Sequence, residues 1–284
     1  MKKIFVMLLG VFLLFGVGAC SSKVNDANKD KVIQAYVDLN NNMIKKSTYN
    51  LDIVADLGIK KSSIIPADIN AKLNTSLAFN HNDGILYANG SLVSSELIPM
   101  LRSYTGDTSS SQDTIKYAMG IDKSNIYFMI DGKWFKEAMS AEEAKQYQSG
   151  LNTEQKQATK EETIKVFDSL SNTKYEETSN SYVITATLDY SGLEKMSKNL
   201  PTGETIDTDA LAGLKSEDFK MSMEIIIPKD TTKLEEQVVL KDIKLKTLGN
   251  NSLGTITIKI TANDNKVTLP ADTKNASDSS LLSD

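Results

Sequence analysis

An alternation of apolar and polar side chains decides the fold, and it is clearest at residues 49–59, which read YNLDIVADLGI. Every second position in this stretch is apolar or aromatic, and most of the positions between are polar. Successive side chains of a β-strand point to opposite faces of a sheet, so the stretch predicts a strand with one buried face.

The same alternation recurs along most of the chain and predicts further strands at 73–79, 115–121, 125–130, 182–190, 219–227, 235–248, 256–260 and 266–269. Asp-Gly pairs at 83–84 and 131–132 are strong hairpin signals and should join neighbouring strands. Within 235–248 the apolar phase shifts from Val238 and Leu240 to Ile243 and Leu245, as one extra residue in a β-bulge would cause. Strands joined by tight turns form an antiparallel sheet that is apolar on one face.

Helical spacing interrupts the strands at several places. Residues 30–46 carry apolar side chains at i, i+3 and i+4 intervals and predict an amphipathic helix. Residues 136–170 are rich in helix-forming residues and predict helices broken near 149–152, with the second over 158–170. Shorter helices are predicted at 191–199 and 207–214. The predicted fold class is α+β: a strongly curved antiparallel sheet, or half-barrel, packed on an N-terminal helix and a central helical insertion.

The first residues predict an export signal. Lys2 and Lys3 precede an apolar run from Ile4 to Phe15 that is too short to span a bilayer as a helix. Val17-Gly18-Ala19-Cys20 resembles the lipobox of bacterial lipoproteins, which implies cleavage between Ala19 and Cys20 and a diacylglyceryl group on the Cys20 thiol. The alternative is an ordinary secretory leader with an incidental cysteine. The resemblance implies a lipid anchor on the extracytoplasmic face of the cell membrane.

These signals give a predicted domain organisation. Residues 1–19 are the lipoprotein signal peptide, 20–29 a polar tether, 30–270 one half-barrel domain, and 271–284 a disordered tail.

Composition excludes several classes of protein. The chain has a formal net charge of −5, and losing the leader with its two lysines makes it more negative. An acidic chain gains nothing from counterion release on nucleic acid, so no nucleic-acid partner is expected. The only cysteine is Cys20, so no intramolecular disulfide can form.

The residues that carry most enzyme chemistry are scarce. His81 is the only histidine and lies in the polar turn HNDG, where a solvated side chain is expected. No Cys/His metal site can be assembled, and no phosphate-binding loop or nucleophile motif occurs, so we expect no enzyme, no metal and no cofactor. Adjacent carboxylates such as Glu142-Glu143, Glu161-Glu162 and Glu235-Glu236 are interpreted as solvated faces.

The chain resembles Gram-positive-type surface lipoproteins of an uncharacterised family, and its layout resembles that of the LolA/LppX-like half-barrel lipoproteins. The resemblance is carried by the lipobox, the early helix, the segment IYFMIDGKWFKEAM at 126–139 and the segment SLSNTKYEETSNSYVITATLDYSGL at 169–193. It implies a bent sheet that holds a lipid or other hydrophobic ligand. No functional residue is carried over, because the likeness is one of layout.

Five residues are candidates for the wall of such a cavity: Phe128, Trp134, Phe135, Met221 and Met223. Aromatic side chains and adaptable methionines suit an apolar ligand, although both are also common core residues. The leading hypothesis is an anchored lipoprotein that binds a hydrophobic ligand. The alternative is a non-enzymatic structural or interaction lipoprotein of the cell envelope with no ligand cavity, and a hydrolase is a distant third.

Overall fold

A computed structural model describes residues 28–61, 67–99, 102, 112–151, 157–197, 219–245 and 253–278. These residues form two compact units, where the sequence predicted one domain over 30–270. Unit 1 takes its described residues from 28–42 and 157–255, and unit 2 takes its own from 43–61, 67–155 and 256–278.

Unit 1 combines helices with a sheet in the order β10-β9-β8-β7. The neighbouring strands in this sheet run antiparallel. Its elements are helix α1 (Lys29–Met43), helix α3 (Lys160–Asp168), strands β7 (Ser171–Glu177) and β8 (Ser181–Asp189), helix α4 (Tyr190–Ser197), and strands β9 (Phe219–Pro228) and β10 (Glu235–Leu245).

One row of buried side chains crosses all four strands of this sheet. Tyr175 lies opposite Ile184, Ile184 opposite Ile225, and Ile225 opposite Val238. Each is at most 4% exposed. The apolar stripe of α1, which includes Val32 and Ile33 at 0% exposure, also contributes to the core of unit 1. Its Tyr36 ring meets Phe167 of α3 edge to face at 5.3 Å.

Helix α1 ends three residues before the predicted boundary at residue 46. The chain turns at Met43, whose carbonyl accepts the backbone N–H of Lys46. The Lys46 ammonium then pairs with Asp264 at 2.6 Å in unit 2. The helix therefore ends where a tertiary ion pair holds the next residues, which local periodicity does not reveal.

Unit 2 is built on strands in the order β12-β6-β5-β4-β3-β2-β1-β11. Successive pairs from β1 to β6 are antiparallel. Its elements are β1 (Thr48–Ile59), β2 (Ile69–Asn80), β3 (Ile85–Val93), β4 (Thr114–Ile121), β5 (Asn125–Ile130), β6 (Lys133–Ala138), helix α2 (Ala141–Leu151), β11 (Gly254–Asn263), a 3-10 helix (Ala271–Asn275) and β12 (Ser277–Asp278).

Both Asp-Gly hairpins form as predicted. Asp131 and Gly132 have φ values of +48° and +87°, so both central residues of the β5–β6 turn are left-handed. This turn geometry matches the twist of the flanking strands and favours Asp-Gly. Pairing continues from Ile130 opposite Lys133 to Asn125 opposite Ala138, so the turn fixes the register of the β5–β6 hairpin.

The segment after β11 packs on unit 2 instead of adding an edge strand at 266–269, so that prediction is wrong. Val267 is buried, and Leu269 lies close enough to Gly120 that a Cβ there would come within 2.7 Å of it. The expected disordered tail is also wrong for residues 271–278. They form the 3-10 helix and β12, whose Ser277 pairs parallel with Phe135 of β6.

The fold class is confirmed at the coarse level, since the protein is α+β with large, mostly antiparallel, open sheet structure. The bulge in β10 is confirmed by a register shift between Lys241 and Lys244, with Asp242 at φ +51°.

Strand β7 was missed because Tyr175 is its one buried side chain. The predicted helical start at 136 is wrong, because β6 extends to Ala138. The helix predicted at 207–214 lies outside the described residues.

Candidate functional site

A row of apolar side chains crosses one side of the sheet of unit 2, and we call this side the apolar face. Its central row crosses six strands through Leu51, Leu77, Ala88, Met119, Phe128 and Phe135, which lie opposite one another in register. Leu51 and Ala88 are buried, whereas the other four are partly exposed. The adjacent row runs from Ile53 to Ile130, which is 51% exposed, and continues to Lys133 on β6. Partly exposed apolar side chains on one face are a surface that a ligand or partner can cover.

Two of the predicted cavity residues meet on this face. Phe128 and Phe135 are cross-strand partners, and their rings stack with centroids 5.3 Å apart and planes 16° from parallel. Offset stacking of this kind is a favourable aromatic arrangement. The structure thus brings Phe128 and Phe135 together at the β5–β6 end of the apolar face.

Trp134 does not belong to this surface. It is adjacent to Phe135 on β6 and pairs with Met129, and alternate residues of a strand point to opposite faces. Trp134 and Phe135 therefore lie on opposite sides of the sheet and cannot line one wall together. The ring of Trp134 is partly exposed on the other side of the sheet.

Met221 and Met223 lie on β9 of unit 1. Met223 is opposite Ala186 and Met221 is opposite Leu188, and both partners are buried. The two methionines are themselves partly exposed. Their place is thus beside the core of unit 1, next to the row that contains Ile184 and Ile225.

His81 lies in the turn between β2 and β3 and is partly exposed. Its backbone N–H donates to the Ser47 carbonyl at 3.1 Å, so the residue closes a loop of unit 2. Among the residues that the structure describes, no three or more His, Cys, Asp or Glu side chains gather as a metal site would require.

A shallow polar pocket of about 300 Å³ lies on unit 2 across strands β11, β1, β2 and β3. The small Ala78 lies between Asn50 and Tyr87 in register and leaves room between their larger side chains. The polar groups bond to each other: Ser76 donates to Asp52 at 2.6 Å and Asn50 to Thr261 at 3.5 Å. The pocket is a solvated depression whose hydrogen bonds are largely internal.

A larger groove of about 380 Å³ lies in unit 1, and we call it the lysine groove. One side is formed by α1, and the other by the ends of β8 and β9 and the connection to β10. Three lysines and one aspartate line it, together with apolar residues and neutral polar groups. Its lining includes Lys31, Asp38, Leu39, Tyr182, Ile227, Lys229, Lys233 and Leu234.

Two of these lysines are organised around one aromatic ring. The ammonium groups of Lys31 and Lys229 lie over the Tyr182 ring, 5.6 and 5.2 Å from its centroid. Both also donate to the carboxylate of Glu177 at 2.7 Å. Hydrogen bonds from Lys229 and Lys31 lower the pKa of Glu177, and the bond to Glu177 raises the pKa of Lys31. The cations are thus held in place at the mouth of the groove.

Glu236 is the functional candidate that sequence reasoning missed. It is only 1% exposed, and within the described part of the chain its Oε1 has no hydrogen-bond partner. Desolvation raises the pKa of its carboxyl from 4.5 to about 8, so the group is mainly neutral at pH 7. Its charge also contributes to the raised pKa of buried Tyr36 on α1, after the larger effect of burial.

The interpretation of Glu235-Glu236 as a solvated face is therefore wrong for Glu236. The signal lay in the phase of the strand, because Glu236 shares a face with Val238. Val238 belongs to the buried row, and the residue two positions earlier must point the same way. A strict count of alternation would have placed this carboxylate inside.

The leader, Ala19 and Cys20 lie outside the described residues, so the lipidation and cleavage predictions stay predictions. In the part of the chain that the structure covers, no helix is long and apolar enough to cross a membrane.

One family model matches the chain. A model described as "Family of unknown function (DUF6612)" matches residues 93–276, which is more than half of the chain. No curated protein matches the chain. The family's description gives no activity, ligand or location.

Proposed function

Because the chain belongs to the family of unknown function DUF6612, we propose its function from its own surfaces: an extracytoplasmic, membrane-anchored lipoprotein that binds a lipid or other hydrophobic ligand. The observation that carries the proposal is the apolar face of unit 2. Its six-strand row from Leu51 to Phe135 has no polar member, and four of its side chains remain partly exposed.

The binding mechanism we propose is burial of an acyl chain against this face. Each methylene removed from water contributes about 0.8 kcal/mol, so a chain of moderate length offsets the entropic cost of its own ordering. The stacked Phe128 and Phe135 rings offer a flat, rigid surface at one end. Met119, beside Phe128 in the row, can adapt its shape to an irregular ligand.

We further propose that the sheet curls around this face as a half-barrel. Neighbouring strands in a sheet are twisted relative to one another, and the twist accumulates across many strands. Curvature of this kind would turn a flat apolar surface into a cup. Gly90 lies on this face and leaves room for the Tyr117 side chain to cross it, because a Cβ at this position would lie 2.3 Å from the Asn74 carbonyl and 2.7 Å from the Tyr117 hydroxyl.

Cys20 would anchor the protein through its diacylglyceryl group, with the polar residues 21–29 as a tether. Two acyl chains are sufficient for stable membrane attachment. Cys20→Ser should move the protein from the membrane fraction to the soluble fraction. A wild-type N-terminus without lipid by mass spectrometry would refute the anchor and leave the ligand proposal standing.

The ligand proposal is tested with two matched variants. Ile130 on the apolar face is 51% exposed, and Val54 on the opposite face of the same sheet is 52% exposed. In protein that begins at residue 20 and carries Cys20→Ser, Ile130→Asn should weaken binding of a fluorescent fatty acid several-fold. Val54→Asn should leave it unchanged.

Native mass spectrometry of the same protein gives a second readout. Co-purified lipid in wild type that is lost in Ile130→Asn would support the proposal. Equal probe binding by both variants, or no binding by wild type, would overturn it.

The alternative, a structural or interaction lipoprotein, is favoured by one observation: neither the polar pocket nor the lysine groove is lined by Phe128 or Phe135. A protein partner that protects the apolar face from hydrogen exchange in place of a lipid would establish that alternative.

A further inference from the structure

We propose that the lysine groove of unit 1 binds an anionic amphiphile, with its carboxylate or phosphate head at the lysines and its apolar part along the floor. This site is separate from the apolar face of unit 2 and does not rest on the function proposed above. The groove volume of about 380 Å³ is in the range of small-molecule sites.

The first support is charge. Lys31, Lys229 and Lys233 line the groove, while Asp38 is its one lining carboxylate. Asp38 accepts a hydrogen bond from Gln34 at 2.9 Å, which partly satisfies that carboxylate. The cationic mouth stands out on a chain whose net charge is −5. Ammonium groups form short, charge-assisted hydrogen bonds to phosphate and carboxylate oxygens.

The second support is the floor. Glu177, Tyr182 and Ile227 lie in one cross-strand row, and the register of β9 and β10 places Glu236 next in that row. Tyr182 and Ile227 line the groove, as does Leu234, two residues before Glu236. An apolar floor thus lies beside the cationic mouth.

A buried carboxyl lies behind the floor of the groove. Glu236 is 1% exposed and, in the part of unit 1 that the structure describes, its Oε1 has no hydrogen-bond partner. Buried polar atoms almost always have a partner, and an unsatisfied one costs about 1–3 kcal/mol. Glu236 does not itself line the groove, so this unsatisfied oxygen belongs to the core behind the floor, and the site is supported by its lysines and its apolar lining residues.

The Glu177 carboxylate competes with a bound anion for Lys31 and Lys229. This carboxylate accepts hydrogen bonds from the ammonium groups of Lys31 and Lys229, at 2.7 Å from each. A bound anion must therefore share or displace it. Removing the competing charge should make the site bind more tightly, whereas a purely structural network would only lose an ion pair.

The experiment measures binding of decyl phosphate by isothermal titration calorimetry, below its critical micelle concentration, to the protein from residue 20 with Cys20→Ser. Inorganic phosphate tests the head alone and decyl maltoside the tail alone. Lys229→Gln with Lys233→Gln should weaken decyl phosphate binding about tenfold or more. Glu177→Gln should strengthen it several-fold. Lys241→Gln is the matched control, because Lys241 pairs with Glu224 at 2.7 Å in the same unit but does not line the groove.

Each outcome decides the proposal. Tighter binding by Glu177→Gln, weaker binding by the double lysine variant and no change in Lys241→Gln would support it. Equal weakening by Lys241→Gln would show a non-specific charge effect and overturn it. If inorganic phosphate or decyl maltoside binds as tightly as decyl phosphate, the head and the tail are not both recognised, and the proposed amphiphile site is overturned. No heat with any probe would also overturn it, and thermal melts of each variant confirm that the fold is intact.

Discussion

Units 1 and 2 are built from the same alternating strands but bury them to different extents. The row of unit 1 through Ile184, Ile225 and Val238 is at most 2% exposed. The equivalent row of unit 2, through Leu77, Met119 and Phe128, stays partly exposed. In unit 1 helix α1 contributes Val32 and Ile33 to the core, both at 0% exposure. Alternation thus determines which face is apolar, while a distant segment determines how far that face is buried.

The largest expected effect concerns the carboxyl group of Glu236, which is buried in unit 1. Its pKa is raised from 4.5 to about 8, so between these values the folded state holds a proton that the unfolded chain has released. Stability should therefore fall as the pH rises, by about 1.4 kcal/mol per unit. Glu236→Gln removes this loss. The difference in free energy of unfolding between variant and wild type should therefore be up to about 4 kcal/mol more favourable to the variant at pH 8 than at pH 5. Urea unfolding at each pH measures it.

Glu235→Gln is the control for this experiment, since it removes a neighbouring carboxylate on the opposite face of β10. If the Glu236→Gln variant shows the same fall in stability with pH as wild type, burial of this group is not what distinguishes unit 1.

The next effect compares the two rows directly. Ile225→Ala in unit 1 should lower the free energy of unfolding by about 3 kcal/mol, because it leaves a cavity in a fully packed core. Leu77→Ala in unit 2 should cost less than about 1.5 kcal/mol, because its side chain is already partly exposed. Chemical denaturation of both variants measures the difference. Equal costs would mean that the apolar face is as well packed as the core of unit 1.

The smallest effect uses a helix cap in each unit. Thr159 and Glu162 form a capping box at the start of α3, and Ser140 and Glu143 make the same reciprocal bonds at the start of α2. Thr159→Ala should cost about 1 kcal/mol in global unfolding, because α3 carries buried Thr163 and Phe167.

Ser140→Ala should instead act locally, since most side chains of α2 are exposed. Faster hydrogen exchange confined to residues 141–147, with little change in the unfolding midpoint, is the expected result. A global loss as large as that of Thr159→Ala would contradict the contrast between the units.

The strands could be predicted from sequence because each carries its own signal. Period-2 alternation located β1, β8, β9 and β11, and Asp-Gly pairs located the turns of two hairpins. Strand β7 carries one buried residue and gave no such signal. The segment at 266–269 carries apolar residues that pack on the sheet from one side, which looks the same in sequence as a short edge strand.

The candidate sites divide in the same way. Phe128 and Phe135 could be paired in advance, because the intervening turn fixes their register. Trp134 was grouped with them by proximity in sequence, although neighbours on a strand face opposite ways. The lysine groove was not predictable, because Lys31, Glu177 and Lys229 come from segments that only the tertiary fold brings together.

The interleaving of the two units along the chain has a consequence for biosynthesis. Helix α1 is translated more than a hundred residues before the strands of unit 1 that it covers, and β1 is translated long before its neighbour β11. Contacts of such long sequence separation form slowly. The β2–β6 hairpins can form as they are synthesised. Their apolar side and the apolar stripe of α1 would stay accessible to solvent until the later strands are synthesised. A nascent chain of this design would depend on holding factors until its synthesis is complete.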